Sequence, residues 1–550
     1  MYFRRKTSAG RAYLQIVESR RDGDQVRQQV IATLGRFEEL QASGQLERLV
    51  RSGARFAAKA MVLSAASDEA AIKIAVRRIG PALVFERLWE ETGCRAVIMA
   101  LAGQRKHGFA LERAVFLTVL HRLFMSGSDR AADRWREDYA VAGVAGLDLH
   151  HLYRAMAWLG EELPEKEQDG RTPFSPRCLK DVVEEQLFAR RRDLLTRLDL
   201  VFMDTTSLYF EGAGGQTLGQ HGYSKDHRPD LRQMILAVLL DGDGRPVCSE
   251  MWPGNTADVT TLIPVIDRLR RRFAIARVCV VADRGMISAE TVAELEARRL
   301  LYILGVRERS DKLVRELVLE DAAPFVPLAI NKRGKQTDYE AKTVMLAGRR
   351  YIVCRNHQEA EKDAADRASI IAALQRQLAK GDKALVGNTG YRRYLKTISD
   401  DHFAIDPDKV AEDNRFDGIF VLRTNSDLGP LAAMLCYKQL WTVEQTFRTA
   451  KHLLSTRPIF HKLDETIRGH VFCSFLALVL KKALEDRIVA LGRVGSWPAI
   501  IADLDSLTET EIEHDGKRFV VRSAPHPAAS LAFRAAGVAL PPTVRDAAVS

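Results

Sequence analysis

Apolar residues along the chain follow a strand period in some regions and a helix period in others. Residues 11–36 alternate partly between apolar and polar side chains on either side of an Arg-Asp-Gly-Asp turn at 21–24, which predicts a β-hairpin with an arginine-rich polar side. From residue 68 to residue 197, apolar side chains recur every three or four positions without a strand pattern, so this region is predicted to be helical. Its basic run at 190–192 is typical either of a solvated helix face or of a phosphate contact.

The following region, residues 198–306, has a mixed pattern. Short apolar runs predict strands at 198–203, 234–240, 245–251, 278–282 and 300–306. Helical spacing predicts helices at 260–272 and at 288–299, the second with Ser288 as its N-cap. The resulting β-β-β-α-β-α-β order predicts a mixed sheet with helices on its faces, and it is close to the element order of the ribonuclease-H-like fold.

Residues 307–435 interrupt this α/β region before its last predicted helix. They contain a basic hairpin at 342–354, an amphipathic helix at 359–380 that should stop at Gly381, and a strand at 418–424. The strongest helix of the C-terminal half is predicted at 437–454. The apolar run at 471–480 covers about half a bilayer and predicts a core helix rather than a membrane span. The tail should form a hairpin around Asp515-Gly516 and end in a loose Pro/Ala-rich stretch.

Composition and charge narrow the function without fixing it. The 550 residues carry 82 Lys and Arg against 72 Asp and Glu, so the formal net charge of +10 permits a polyanionic partner. Seven scattered cysteines without a C-x-x-C pair indicate neither a zinc ribbon nor a disulfide framework, and they suit a reducing cytosol. The basic N-terminal residues precede no apolar signal-peptide segment. A P-loop, a G-x-S-x-G elbow and an H-E-x-x-H motif are all absent from the sequence.

Two aspartates, Asp204 and Asp283, each follow a predicted apolar strand. Taken singly, each could simply cap the following turn or helix. Ligands gather at the carboxyl ends of strands in open α/β sheets, and two carboxylates there would repel each other without a cation between them. Oxygen-only ligands select Mg²⁺ or Mn²⁺, so the pair predicts a metal site that needs a third acidic ligand.

The third acidic ligand is predicted on the 437–454 helix. Tyr437, Glu444 and Lys451 are seven residues apart and would share one helix face, with Arg448 one turn beyond the glutamate. The alternative for Glu444 is an i,i+4 pair with Arg448 on a solvated face. A lysine two turns past a metal-binding glutamate would be well placed to hold a phosphate.

Together these residues resemble the catalytic motifs of bacterial DDE transposases of the insertion-sequence-four family, most closely those of its sixteen-thirty-four branch. The matching motifs are Asp204-Thr205-Thr206-Ser207, Ala282-Asp283-Arg284-Gly285 and the Tyr437, Glu444, Lys451 series. Further agreement lies at residues 221–230 (HGYSKDHRPD), 253–256 (PGNT), 386–388 (VGN) and 457–459 (RPI). One position departs: Leu440 stands where the family has an arginine. Arg448 or Lys438 could supply that charge, and the departure concerns a DNA contact rather than the metal site.

The resemblance implies a ribonuclease-H-like (retroviral-integrase-like) catalytic domain interrupted by a β-rich insertion and preceded by a helical DNA-binding region. The implied segments are an N-terminal hairpin region (1–60), a helical DNA-binding and dimerisation region (68–197), the catalytic domain in two parts (198–306 and 436–490), the insertion (307–435) and a C-terminal region (491–550).

The resemblance also implies an activity. Asp204 would bridge two Mg²⁺ ions, for which Mn²⁺ would substitute, while Asp283 and Glu444 would each bind one of them. Tyr437, Lys451 and Arg448 would contact DNA. The expected reaction is cut-and-paste transposition on double-stranded terminal inverted repeats and target DNA, by a homodimer in the synaptic complex, in the bacterial cytoplasm at the nucleoid and without a membrane partner.

Two other functions stay open at this stage. A ribonuclease-H-like nuclease that cuts without joining would share the same sheet motifs. A non-catalytic DNA-binding relic of a transposase would bind DNA ends alone, although such a relic would be free to lose the three carboxylates.

Overall fold

The computed structural model describes most of the chain in two compact units. The first unit comprises Met1–Val76, Glu509–Arg522 and Pro542–Ser550, and the second comprises Arg77–Thr508 and Ser523–Pro541. The described residues are 2–8, 10–22, 25–46, 48–49, 73–125, 127–191, 200–257, 260–275, 278–309, 311–332, 335–379, 393–399, 402–453, 456–514 and 517–546. Several predicted features lie outside these ranges: both hairpin turns (Gly23-Asp24 and Asp515-Gly516), Arg192, the helix stop at Gly381 and the 386–388 motif.

The described residues of the first unit form two sheets. Strands β1 (Tyr2–Ser8), β2 (Arg11–Asp22) and β3 (Gln25–Arg36) form one sheet, which is followed by helix α1 (Phe37–Ala42). The pairing of β2 with β3 confirms the predicted hairpin, and β1 extends it. The second sheet has the order β18-β17-β16-β4, formed by Val544–Asp546, Lys517–Arg522, Thr508–His514 and Lys73–Arg78 respectively. The strand at 73–78 corrects the prediction that residues 68–197 are helical throughout.

Most of the described residues between 80 and 191 are helical, which confirms that part of the prediction. The helices are α2 (Gly80–Glu91), α3 (Cys94–Ala102), α4 (Leu111–Phe124), α5 (Asp129–Trp135), α6 (Leu149–Gly160) and α7 (Leu179–Arg191). At the end of α7, Arg191 donates to the carbonyl of Pro246 over 2.9 Å, so its guanidinium is engaged with the protein rather than simply solvated.

A nine-stranded sheet forms the centre of the second unit. Its order is β10-β11-β12-β15-β9-β8-β5-β6-β7. The strands are β5 (Leu200–Tyr209), β6 (Gln233–Leu240), β7 (Pro246–Pro253), β8 (Cys279–Ala282), β9 (Leu301–Gly305), β10 (Val326–Lys332), β11 (Lys335–Leu346), β12 (Arg349–Asn356) and β15 (Ile419–Thr424). Helices α8 (Leu262–Phe273) and α9 (Ala289–Ala297) connect β7 to β8 and β8 to β9. Strand β5 pairs antiparallel with β6 and parallel with β8, which confirms the predicted β-β-β-α-β-α-β order.

Both faces of this sheet are buried. Along β6, Leu236 and Val238 pack into the core shared with the long helices, whereas Ile235 and Ala237 pack into the core beneath α8 and α9. A strand that is covered on both faces has a continuous run of apolar residues, which explains why the sequence of residues 234–240 predicts a strand. Ser288 accepts from the amide of Thr291 over 3.1 Å and so begins α9 as predicted.

The strands predicted to form a separate insertion continue the same sheet. β15 pairs with β9 through Leu422 and Gly305, and β12, β11 and β10 follow in order. The interrupting segment also contains α10 (His357–Leu378), the hairpin strands β13 (Leu395–Ser399) and β14 (His402–Ile405), and α11 (Pro407–Asn414). Strands β10, β11, β12 and β15 of residues 307–435 therefore complete their backbone hydrogen bonds within the nine-stranded sheet, whereas β13 and β14 form a separate two-stranded sheet.

The described residues from 430 to 536 include five helices. They are α12 (Pro430–Lys438), α13 (Leu440–Arg448), α14 (Asp464–Ala490), α15 (Trp497–Asp505) and α16 (Pro527–Ala536). The 471–480 run is buried in the centre of α14, which confirms a core helix. Within the described residues, no helix combines the length and apolar character of a bilayer-spanning segment. Helix α16 corrects the prediction of a loose tail, because it buries Phe533 and three alanines on one face.

Candidate active site

Asp204 and Asp283 lie next to each other on adjacent parallel strands. The parallel pairing of β5 with β8 ends at Met203 and Ala282, and the two aspartates are the next residues in the chain. Asp283 follows the end of β8 as predicted. Asp204 does not end its strand, because β5 continues to Tyr209 through its antiparallel pairing with β6. Both carboxylates are half-buried at this edge of the parallel pairing.

Glu444 completes the group from the facing helix. It is an exposed residue of α13, and the three carboxylates line one cavity of about 560 Å³. Arg284, Glu308, Glu359, Asp363, Tyr437, Lys438, Leu440 and Trp441 are among its other lining residues. The structure therefore brings the three sequence-predicted carboxylates to the same cavity, although they are up to 240 residues apart in the chain.

The three carboxylates interact electrostatically. The pKa of Asp204 is raised to about 6, chiefly by burial and to a smaller extent by the charges of Asp283 and Glu444, against the lowering effect of Lys225. The amide of Thr205 donates to Asp204 Oδ1 over 2.7 Å and also favours the ionised form. Like charges disfavour each other's ionisation, so a cation bound among these groups would offset their electrostatic repulsion.

Tyr437 holds Asp283 directly. Its hydroxyl donates to Asp283 Oδ1 over 2.7 Å, and its ring stacks on Phe420 with centroids 6.1 Å apart. Burial and the neighbouring Asp283 raise the pKa of the Tyr437 hydroxyl, so it stays protonated and acts as a donor. Gly305, at the end of β9, leaves the space that this hydroxyl occupies, because a Cβ on Gly305 would collide with it.

The predicted continuous helix at 437–454 is wrong in detail. Tyr437 belongs to α12 and Glu444 to α13, and the two helices meet at Gln439. Its ψ of −13° departs from the helical value of about −42°, and its carbonyl accepts from the amide of Thr442, three residues on, over 2.8 Å. Lys451 lies in a π-helical turn, Thr449–Leu453. The seven-residue spacing thus places Tyr437 and Glu444 in one cavity, but not on one regular helix.

The two predicted DNA-contacting cations take different positions. Lys451 is half-buried, and its ammonium lies 2.8 Å from Asp226 Oδ1. Arg448 is exposed on α13 and is not among the residues that line the cavity. Their contacts with DNA stay a prediction.

Leu440, which stands in place of the family arginine, is 8% exposed and packs into the core beside the cavity. Of the two residues that could supply the missing charge, Lys438 lines the cavity and Arg448 does not. The Lys438 ammonium lies 3.7 Å from the centre of the Tyr339 ring and also donates to the Tyr339 hydroxyl. Lys438, two residues before Leu440, is thus the one of these two candidates whose position lets it supply a positive charge to the cavity.

Two other side-chain clusters in the described part of the chain hold their possible metal-ligand atoms closer together. Two groups of three side chains have potential ligand atoms within 4.8 Å of one another: Asp129, His461 and His470, and Asp148, His150 and His151. The cavity carboxylates are spread more widely than that. The ligands of a centre for two ions about 3.5–4 Å apart are divided between two coordination spheres, so their atoms do not all have to lie within 4.8 Å of one another.

Sequence reasoning gave no role to residues 221–230, although it noted their motif. Lys225 and Asp226 of this segment contact β5 and the Lys451 turn respectively. It also missed Glu308, Glu359 and Asp363, which line the cavity from the interrupting segment and its flank. Only the long-range strand pairing brings these residues to the site.

Two family models match parts of this chain. The family model described as a transposase DDE domain matches residues 196–480, just over half of the chain. The model for the N-terminal domain of IS1634 family transposases matches residues 3–68. No curated protein sequence matches the chain.

Solved structures with similarity include the piggyBac transposase synaptic complex with hairpin DNA, at 12% identity over 77% of this chain and 79% of that one, with a TM-score of 0.37. The Mos1 transposase paired-end complex with left transposon end is 16% identical over 36% and 60% of the two chains, with a TM-score of 0.15.

Proposed function

Because the chain belongs to the IS1634 family of DDE transposases, and is thus a DNA-cleaving and DNA-joining enzyme of an insertion sequence, we propose that Asp204, Asp283 and Glu444 form its catalytic centre. The observation that supports this assignment is their convergence on one cavity from β5, β8 and α13. The raised pKa of Asp204 supports it as well, because this pKa responds to both other carboxylates.

The donor set fits divalent metal ions. All three candidate ligands are carboxylates, and hard oxygen ligands prefer Mg²⁺ or Mn²⁺. We assign Mg²⁺ as the natural ion, with Mn²⁺ as a substitute. When bound, two such ions would supply an activated water or 3′-hydroxyl and would stabilise the leaving oxygen. The protein's own contribution is then to position the ligands and the DNA.

Individual side chains have distinct tasks in this proposal. Tyr437 orients Asp283 through its hydroxyl, and Gly305 leaves room for it to do so. Lys451, Arg448 and Lys438 are the cations of α12, α13 and the following turn that would hold phosphates near the cavity. Phosphate contacts add affinity that falls as salt rises.

The substrate and assembly follow from the same proposal. The enzyme would bind the terminal inverted repeats of its element and catalyse cut-and-paste transposition as a homodimer on paired ends, at the nucleoid. The helices α2–α7 and the basic β11–β12 hairpin would contribute to end binding. The net charge of +10 supports a nucleic-acid partner of this kind.

A cleavage and joining assay tests the proposal. The probe is a labelled duplex with the DNA that borders the coding region, incubated with Mg²⁺, with Mn²⁺ or with a chelator. We expect metal-dependent nicking and transfer to a target plasmid by the wild type. We expect neither activity, with duplex binding retained, from Asp204→Asn, Asp283→Asn and Glu444→Gln. Nicking by Glu444→Gln in Mg²⁺ would contradict the assignment, and cleavage without joining would indicate a nuclease instead.

A further inference from the structure

The segment between β5 and β6 contacts both sides of the catalytic cavity. Residues 221–230 lie in this connection, and two consecutive members of it, Lys225 and Asp226, point to different elements. Lys225 contacts the strand that carries Asp204. Asp226 contacts the segment that follows Glu444. Neither residue lines the cavity itself.

Lys225 is fastened to β5 by three hydrogen bonds. Its ammonium donates to the carbonyl of Thr205 over 2.8 Å and to the Thr205 hydroxyl over 2.7 Å. Its backbone amide donates to the Ser207 hydroxyl over 2.9 Å. These bonds fix the residue immediately after Asp204, and they place a positive charge where it favours the ionised carboxylate.

Asp226 joins two cations beyond α13. Its Oδ1 lies 2.8 Å from the Lys451 ammonium, and its other oxygen pairs with Arg457. The side chains of Asp226, Lys451 and Arg457 are only 7%, 10% and 15% exposed. Loss of one partner from a buried ion pair leaves an uncompensated charge, so these contacts hold their residues in one geometry.

We propose that Lys225 and Asp226 are positioning residues for transposition, a clamp that sets the separation between Asp204 on β5 and the Glu444–Lys451 segment. This inference rests on the proposed catalytic role of Asp204 and Glu444. The two ends of the clamp are adjacent in the chain, so a shift of one element is passed to the other through a single peptide unit. A carboxylate site for two ions tolerates little movement, because displacement of a catalytic group by about 1 Å can cost roughly 100-fold in rate.

The burial of the ion pairs favours a positioning role over a phosphate-mimicking one. A phosphate could replace the Asp226 carboxylate only after the loop had left Lys451 and Arg457, and all three side chains are largely shielded. Two cations share one anion here, so the cluster keeps a net positive charge while its geometry stays fixed. A phosphate mimic would instead inhibit, and its removal would tighten DNA binding.

The test uses the full-length protein with Asp226→Asn, Asp226→Glu and the matched control Asp230→Asn. Asp230 lies in the same segment and pairs with Arg228 on the surface, where both side chains are more than 40% exposed. The readouts are the affinity for the labelled border duplex, the thermal unfolding temperature, and the single-turnover nicking rate at saturating duplex in Mg²⁺. Glu444→Gln is measured in parallel.

We expect Asp226→Asn to bind the duplex with wild-type affinity but to nick it roughly 100-fold more slowly. Asp226→Glu should recover most of the rate because it keeps the charge, and Asp230→Asn should match the wild type. Wild-type nicking by folded Asp226→Asn, or tighter duplex binding with faster nicking, would overturn the inference. If Asp226→Asn does not fold, Lys225→Met carries the test, since it leaves the Asp226 ion pairs in place and should show the same slow nicking. An active Glu444→Gln would refute the proposed function itself, whatever the Asp226 variants do.

Discussion

The hydroxyl of Tyr437 donates a 2.7 Å hydrogen bond to Asp283 Oδ1, across 154 positions of sequence. The donor comes from α12 and the acceptor from the residue after β8. The bond forms only because Gly305 leaves the intervening space open. It ties the helix that precedes Glu444 to the strand edge that carries the aspartates.

Replacing Tyr437 with Phe should remove this bond while keeping the ring. A hydrogen bond to an ionised group contributes about 1.5–3 kcal/mol, so we expect the free energy of unfolding of the metal-free protein to fall by about that amount. Urea titration measures the change. Tyr223→Phe is the control, because Tyr223 is 82% exposed and its substitution should have no effect. Equal stabilities of the two variants would contradict the importance of the Tyr437 bond.

The position of Lys438 near Leu440 leads to a prediction about the salt dependence of DNA binding. If Lys438 supplies the cation for one phosphate, Lys438→Met should weaken duplex binding and reduce the slope of log affinity against log salt by about 0.9. Leu440→Arg should strengthen binding without changing the metal requirement. The measurement is a fluorescence-anisotropy titration over a range of salt concentrations. An unchanged slope for Lys438→Met would show that Lys438 does not make this phosphate contact.

The pKa of Asp204 predicts a specific pH dependence. Burial raises this pKa to about 6 from the usual 3.8, so the folded protein binds the proton more tightly than the unfolded chain does. The stability that this proton contributes is present below about pH 4 and is lost as the pH rises through about 6. Metal-free Asp204→Asn should therefore match the wild type near pH 4 and be about 2–3 kcal/mol more stable above about pH 7. A constant difference across this range would show that Asp204 is not so perturbed.

A buried ion network between α7 and α8 predicts a large loss of stability when one of its arginines is replaced. Arg272 on α8 lies 2.6 Å from Glu184 and 2.8 Å from Glu185, both on α7, and its side chain is 2% exposed. Arg272→Met should lower the free energy of unfolding by about 3–5 kcal/mol, because it leaves buried carboxylates without their partner. The neighbouring Arg271 is 62% exposed, and Arg271→Met should cost at most about 1 kcal/mol. Chemical denaturation of the two variants compares them directly.

The sequence predicted those parts of the fold whose signal is local. The apolar run at 234–240 predicts a strand because both of its faces are buried, and Ser288 predicts a helix start because its hydroxyl caps the helix. The position of Asp204 within its strand was not predictable in this way. Residues 205–207 are polar and suggest a loop, yet they are buried, because β6 and Lys225 satisfy their hydrogen bonds from a distance.

The candidate site likewise has features that the local sequence predicts and features that depend on contacts between distant residues. The positions of Asp204 and Asp283 after apolar strands and the helical spacing around Glu444 made these residues candidates, and the structure brings them to one cavity. The joining of β15 to β9, which extends the sheet with the interrupting segment, depends on contacts between residues more than 100 positions apart. In α16 a Pro/Ala-rich composition concealed a helical period of buried residues, Ala529, Ala532, Phe533 and Ala536.

The most direct test of the central claim, that Asp204, Asp283 and Glu444 bind the catalytic metal, is the metal preference of an Asp283→Cys variant in the border-duplex nicking assay. A thiolate is a softer ligand than a carboxylate and discriminates against Mg²⁺ more strongly than against Mn²⁺. The variant should therefore be inactive in Mg²⁺ and regain nicking in Mn²⁺, whereas Glu359→Cys, an exposed position on the same cavity, should keep wild-type behaviour in both ions. Wild-type nicking by Asp283→Cys in Mg²⁺ would contradict the claim.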